Sequence, residues 1–320
     1  MPAKSPSDQQ PMLSILIPAY NYADGVRRIV APLLAENRSD IEILVSDDSS
    51  NDEVEVMMQA QGTHAHLRYT RNVPSIGAVN NWNSLHQKAQ GSYVILIHHD
   101  DFPLSETFAS ELIAELEKYS WPDTLILSRL TYDIAGDRIK LGICNYFRSI
   151  IGRHFPSYLF LRNVMGPPSV LVVKRDLFKG YDPALKWLVD VEAYFRFLTT
   201  QTRRVAFSHL MMATSYGLPN GISTMLRGQE KDIANAELAH LEAKYSNSRF
   251  LRHIRGKDVA GKLQIALEWP LWGTVRMISS VCNLLMPTAS LSIAASHRAH
   301  FTGSVTLKDK SVGAWIPPTF

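Results

Sequence analysis

Two pairs of adjacent carboxylates, Asp47-Asp48 and Asp100-Asp101, are the residues of this chain whose types and spacing most suggest chemistry. Like charges so close repel each other, and a divalent cation bound to the carboxylate oxygens relieves that repulsion. A cation held there can also bind a diphosphate and stabilise it as a leaving group. Each pair also has a plainer reading. Asp, Ser and Asn are ordinary turn and helix-cap formers, so Asp100 and Asp101 could merely precede the helix expected to begin near Ser105.

What separates the readings is placement. Leu13-Ser-Ile-Leu-Ile-Pro18, Ile41-Glu-Ile-Leu-Val45, Leu67-Arg-Tyr69 and Tyr93-Val-Ile-Leu-Ile97 read as strands. Between them lie helical patterns: Val26, Ile29, Val30, Leu33 and Leu34 at helical spacing, a short helix from Asp52 to Ala60, and another from Gly77 to Ala89. Glu106 to Tyr119 continues the series. Strands alternating with helices predict parallel pairing, and near-continuous apolar strands predict a sheet covered on both faces. Ligands of such sheets sit at the carboxyl ends of the strands. Three strands end there in Tyr20-Asn21, Asp47-Asp48 and Asp100-Asp101. Beyond Tyr119 the pattern loosens, with strands expected at Leu125–Tyr132 and Ser169–Lys174 and helices at Val189–Thr200 and Gln229–Tyr245.

The 320 residues, 46% hydrophobic and 20% charged, are of ordinary globular composition. A net charge of +3 gives no footprint for nucleic acid. Two distant cysteines, Cys144 and Cys282, fit a reducing compartment rather than a disulfide framework. The polar N-terminus lacks the apolar stretch of a signal peptide, so a cytoplasmic location is expected.

Leu13–Asn21 and Ile41–Asp52, followed in order by Asn81-Trp82-Asn83, Ala89-Gln-Gly91 and Tyr93–Asp101, resemble the opening of family 2 glycosyltransferases. Gly166-Pro-Pro-Ser169 with Val172–Phe178, and then Trp187–Arg196, continue the likeness, which covers Leu13 to Ser223. The resemblance implies a Rossmann-like, mostly parallel sheet flanked by helices (the nucleotide-diphospho-sugar transferase fold), a metal-dependent donor site, and inversion at the anomeric carbon. Pro18, Ala19 and Tyr20 would line the nucleoside pocket, and Asp47, or with less reason Asp48, would accept a hydrogen bond from the base. Asp100 and Asp101 match the last two positions of a D-x-D-D pattern and would serve ribose, Mn2+ or Mg2+, and diphosphate. Asp190 matches the catalytic base; it also suits a helix start. Pro168, Ser169 and Glu192 would lie on the acceptor side. UDP- or dTDP-linked hexose or deoxyhexose donors and a saccharide acceptor, lipid-linked or free, are the expected partners, in surface polysaccharide work such as O-antigen assembly.

Two departures matter. His98 stands where many relatives carry the first Asp of the pattern. In Ser215–Ser223, Tyr216 and Leu218 replace a basic residue and a His, so this stretch offers no such ligand and Arg227 is the nearest substitute cation. A non-catalytic sugar- or nucleotide-binding protein and a sugar nucleotidyltransferase are the alternatives, the second disfavoured because Pro18-Ala-Tyr-Asn21 replaces a Gly-rich basic loop. The domain plan expected is a polar tail at 1–11, a catalytic domain at 12–225 (nucleotide-binding half 12–120, acceptor half 121–225) and a mainly helical appendage at 226–320. From Ser248 onward the chain carries nine Lys or Arg against three acids, with an apolar stretch from Leu263 to Ala295. Packing on the catalytic domain is the favoured reading of that segment, and peripheral contact with the inner face of a membrane the other.

Overall fold

The computed structural model describes residues 10–133, 138–201, 204–216 and 221–245, together with Thr274 and Met277. The chain divides into two compact units, Met1–Asn283 and Leu284–Phe320, and every described residue belongs to the first. The polar N-terminal tail up to residue 9, Leu218, and the basic, apolar segment from Ser248 onward (Thr274 and Met277 aside) lie outside the described residues. No described helix is long and apolar enough to cross a membrane.

The first half alternates as its sequence pattern requires. β1 (Leu13–Ala19), α1 (Ala23–Ala35), β2 (Ile41–Asp47), α2 (Glu53–Ala60), β3 (Leu67–Arg71), α3 (Ala78–Lys88) and β4 (Tyr93–Leu96) follow in order. Every residue of β1, β2 and β4 is buried, as befits strands covered on both faces. Helix α1 buries Val26, Ile29, Val30 and Leu33 and leaves its other face to solvent. β3–β2–β1–β4 pair in parallel. Glu42 of β2, almost fully buried, ties this sheet together by accepting from Ser14 Oγ and from the Gln90 and Gly91 amides, with Arg68 as its cation.

Beyond β4 the sheet becomes mixed. β5 (Phe102–Pro103), α4 (Phe108–Lys118), β6 (Thr124–Asp133), β7 (Arg138–Leu141), α5 (Asn145–His154), β8 (Leu171–Lys174), α6 (Val189–Arg196), β9 (Val205–Tyr216), α7 (Ile222–Met225) and α8 (Glu230–Lys244) complete the described chain. The strand order is β3-β2-β1-β4-β8-β6-β9-β5, with β7 beside β6. β8 runs antiparallel to both β4 and β6, while β6 and β9 are parallel. The helix expected over Val189–Thr200 stops being α-helical at Arg196 and continues as a π turn over Phe197–Gln201. β7, α5 and β9 have no counterpart in the sequence reading.

The antiparallel pair β4–β8 sets the geometry of the loop that follows β4. Its register is Tyr93↔Lys174, Val94↔Val173 and Ile95↔Val172. Continued past the strand end, it brings His98 opposite Ser169, in the short 3-10 turn Pro168–Val170 that feeds β8. α1 closes on the same loop from the other side through Gly25. A Cβ there would meet the His99 carbonyl oxygen at 2.0 Å and Tyr22 Cδ1 at 2.4 Å. A methyl group cannot be accommodated without moving either the helix or the loop. Gly25→Ala is therefore expected to destabilise the protein by about 1–3 kcal/mol, measured as a lowered midpoint of urea or thermal unfolding.

Candidate active site

A cavity of about 750 Å³ opens at the carboxyl ends of β1, β2 and β4 and extends across the sheet to the start of α6. Pro18, Ala19 and Tyr20 line it after β1, Asp48 after β2, and His98 to Asp101 after β4. Pro168 and Asp190 line its far side. The sheet thus gathers side chains separated by more than 170 positions in the sequence.

The loop after β4 is held by its own backbone and by two neighbours. The Asp101 amide donates to the His98 carbonyl at 2.9 Å. The Ser169 hydroxyl accepts from the His98 amide at 3.1 Å and donates to Asp101 Oδ2. The Ser215 amide on β9 donates to Asp101 Oδ1 at 3.3 Å. Only 3% of Asp101 is exposed. Burial, and then the charge of Asp100, push its carboxyl well above the usual carboxylate range, against the hydrogen bonds from Ser169 and Ser215 and the charge of Arg129. His98 packs against Trp82 with ring centres 4.6 Å apart. Burial pulls its imidazole down to about 4, so it is neutral near pH 7. Its Nε2 is buried without a partner. One ligand atom each from His98, Asp100 and Asp101 can be chosen so that all lie within 4.8 Å of one another. A neutral imidazole whose Nε2 has no partner, beside two carboxylates at this spacing, is a donor set of the kind that can hold a divalent cation.

The other acidic pair is built differently. Asp47 is fully buried, accepting from the Ser49 amide at 2.9 Å and from Tyr69 Oη at 2.7 Å, and it does not line the cavity. Asp48 does. Its oxygens accept from Asn72 Nδ2, Ser75 Oγ and the amides of Ile76 and Gly77, at 2.7–3.1 Å. Asp48 therefore moulds the 72–77 loop into one wall. Arg71 pairs with Glu55 and donates to the Asn51 carbonyl. Asn83 brackets the backbone of Tyr181, its side-chain amide meeting both the Tyr181 N–H and C=O.

On the far side Asp190 sits in the first turn of α6. Its Oδ2 accepts from Asn163 Nδ2 at 2.6 Å and its Oδ1 from the Val191 amide at 2.8 Å. Burial raises its carboxyl to about 6, against those hydrogen bonds and the charge of Arg129. Glu192 faces the other way. It is fully buried beneath Arg196, Lys244 and Tyr245, and these partners hold it well away from any ligand in the cavity, which it does not line.

Three contributors were invisible to motif reading. Asn163, which orients Asp190, lies in an unpatterned loop and offers no sequence signal. Arg129 lines the cavity from β6; a lone charge inside the apolar run Leu125–Tyr132 was the signal to follow, whereas Arg227 does not line the cavity. Glu237 of α8 accepts from the amides of Lys186, Trp187 and Leu188 at 2.6–3.1 Å, fixing the segment that leads to Asp190. Glu237→Gln replaces an acceptor oxygen by a donor facing those amides. Hydrogen exchange at Lys186–Leu188 should then accelerate by at least about tenfold while the amides of β1 and β2 are unchanged.

Residues 14–181 match the family described as Glycosyl transferase family 2. Similar proteins include an uncharacterised glycosyltransferase of Rickettsia typhi, 26% identical over 220 residues, which are 64% of this chain and 64% of that protein. The hyaluronan synthase of Pasteurella multocida is 31% identical over 93 residues, 29% of this chain and 10% of that protein. Two solved structures share the fold. Staphylococcus aureus TarS 1–349 with UDP-GlcNAc has a TM-score of 0.53 at 14% identity, covering 82% of this chain and 79% of that one. A Pyrobaculum calidifontis mannosyltransferase with GDP-Man and Mn2+ has a TM-score of 0.52 at 13% identity, covering 94% and 90%.

Proposed function

The chain belongs to glycosyl transferase family 2, and from that premise we propose that it transfers a hexose or deoxyhexose, with inversion, from a nucleotide-diphosphate donor to a saccharide hydroxyl. The observation that carries this reading is the single cavity bounded at one end by His98, Asp100 and Asp101 and at the other by Asp190. Asp190 is the proposed base. Asn163 and the Val191 amide fix its two oxygens, so its remaining lone pairs have a defined direction. It accepts the proton of the acceptor hydroxyl as that oxygen forms its bond to the anomeric carbon. The bond from that carbon to the diphosphate breaks on the opposite face, towards Asp100 and Asp101, and this in-line order inverts the centre.

His98, Asp100 and Asp101 would hold Mn2+ or Mg2+, which would supply positive charge to the leaving diphosphate. Mn2+ and GDP-Man in the Pyrobaculum neighbour, and UDP-GlcNAc in TarS, are consistent with this chemistry. Pro18, Ala19, Tyr20 and Asp48 would contact the nucleoside, with Asp47 behind them buttressing Tyr69. UDP- and dTDP-linked sugars are the first donors to test. Pro168 would shape the acceptor side, whereas Ser169 is buried behind the cavity and holds the His98–Asp101 loop; a lipid-linked acceptor in surface polysaccharide assembly would bring the chain to the inner face of a membrane.

Activity should follow the ionisation of Asp190. A carboxyl raised to about 6 holds its proton below that pH and cannot accept another. The rate should therefore fall as pH drops through about 6, and be flat above it until another group titrates. Asp190→Asn should lower turnover by at least about 100-fold with donor affinity nearly unchanged. Transfer that survives in this variant removes Asp190 as base, and donor that binds to the wild type without ever being turned over, across a panel of acceptors, would favour a binding protein.

A further inference from the structure

The guanidinium of Arg129 has no account in the mechanism above. It is the only charged side chain in the run Leu125–Tyr132, and it lines the cavity. The fold clears a path for its stem with two glycines. A Cβ at Gly142 would meet Arg129 Cγ at 2.8 Å, and one at Gly166 would meet Cδ at 2.9 Å. Gly166 also has a φ of +115°, which disfavours any side chain there. Despite this accommodation, Arg129 Nε is buried without a hydrogen-bond partner, and no ion pair ties the guanidinium to a described carboxylate. Nearby Arg148 shares the unpartnered Nε but differs at its terminal nitrogens, which donate to Asn145 Oδ1 at 2.9 Å and to the Met165 carbonyl at 2.7 Å, as those of a structural arginine do.

A guanidinium that lines a cavity without a protein partner keeps its donors for a ligand, and an anion there gains charge-assisted hydrogen bonds. Arg129 is coupled electrostatically to both Asp101 and Asp190, the two ends of the proposed reaction site. It is too far from either to form an ion pair, so a ligand oxygen can compete for it. A planar guanidinium matches phosphate oxygens better than neutral sugar hydroxyls. Tyr216 and Leu218 stand where the Ser215–Ser223 stretch would otherwise offer a basic residue and a His, and Arg227 does not line the cavity.

We propose that Arg129 is a donor-binding residue that grips the distal phosphate of the nucleoside diphosphate, supplying from β6 the positive charge that the segment after β9 lacks. The proposal rests on the glycosyl-transfer reading, and it assigns the residue a role that distinguishes diphosphates from monophosphates. The full chain would be titrated calorimetrically, with Mn2+ present, with UDP, dTDP and GDP and with their monophosphates. For the base that binds, Arg129→Met should lose about tenfold or more in diphosphate affinity and change monophosphate affinity by less than about twofold. Arg129→Lys, which keeps the charge without the fork, should fall between, and it carries the same comparison should the Met variant not fold. Equal losses for both nucleotides, or no loss for either, would overturn the assignment while leaving glycosyl transfer standing. A wild-type preference for UDP-glucuronate over UDP-glucose that disappears in Arg129→Met, with the diphosphate-to-monophosphate ratio intact, would also overturn it, moving the anion to a sugar carboxylate. Wild-type protein that binds none of the nucleotides would take down the functional reading and this inference together.

Discussion

One hydroxyl joins the parts of this site. Ser169 accepts from the His98 amide and donates to Asp101, and so clasps the loop after β4 to the turn before β8. The contact exists because β8 reverses direction beside β4, which places the beginning of one strand at the end of the other. An all-parallel neighbour would have put its own carboxyl end there, with a different loop. The change from parallel to mixed sheet is thus what turns an ordinary nucleotide-binding edge into a two-sided cleft. Ser215 of β9 adds its amide to the other oxygen of Asp101. The best-buried acid of the cleft is in this way fixed from both sides, by the turn before β8 and by β9.

Burial gives the cleft its electrostatic character. Asp101 and Asp190 are both driven towards the protonated form by loss of water, and His98 is driven towards neutrality by the same cause. Such groups are costly to keep, and they make sense together as a site waiting for charged ligands. The pair at β2 is the useful contrast. Asp47 and Asp48 receive hydrogen bonds from neighbouring amides and side chains, which stabilise the carboxylates without any ligand. Two sequence pairs that look alike are therefore built differently, one as scaffold and wall, the other as part of the donor set proposed to hold a cation.

The first half of the fold was legible because its strands are buried on both faces and its helices carry one apolar stripe, so pattern and structure coincide. The second half was not. β9 reads Val-Ala-Phe-Ser-His-Leu-Met-Met-Ala, without clean alternation, and its pairing with β6 shifts register between Ile126 and Ser128. Asp100, Asp101 and Asp190, which the fold brings to one cavity, were singled out because they belong to ordered motifs. Which of Asp47 and Asp48 reaches the cavity depended on one residue of register at a strand end. Glu192 shares a helix turn with Asp190 yet points into a cluster with Arg196, Lys244 and Tyr245, a matter of helical phase and of a distant helix, α8. Asn163 and Glu237 act on Asp190 across 27 positions and, through Leu188, 49 positions of sequence, beyond the reach of any local pattern.

If His98, Asp100 and Asp101 hold a cation together with a bound nucleoside diphosphate, the two ligands must bind cooperatively. Titration of Mn2+ followed by electron paramagnetic resonance, with and without nucleoside diphosphate, tests it most directly. The nucleotide should tighten Mn2+ binding by at least about tenfold in the wild type, and Asp101→Asn should abolish this coupling. Mn2+ affinity that is indifferent to the nucleotide in the wild type would contradict it.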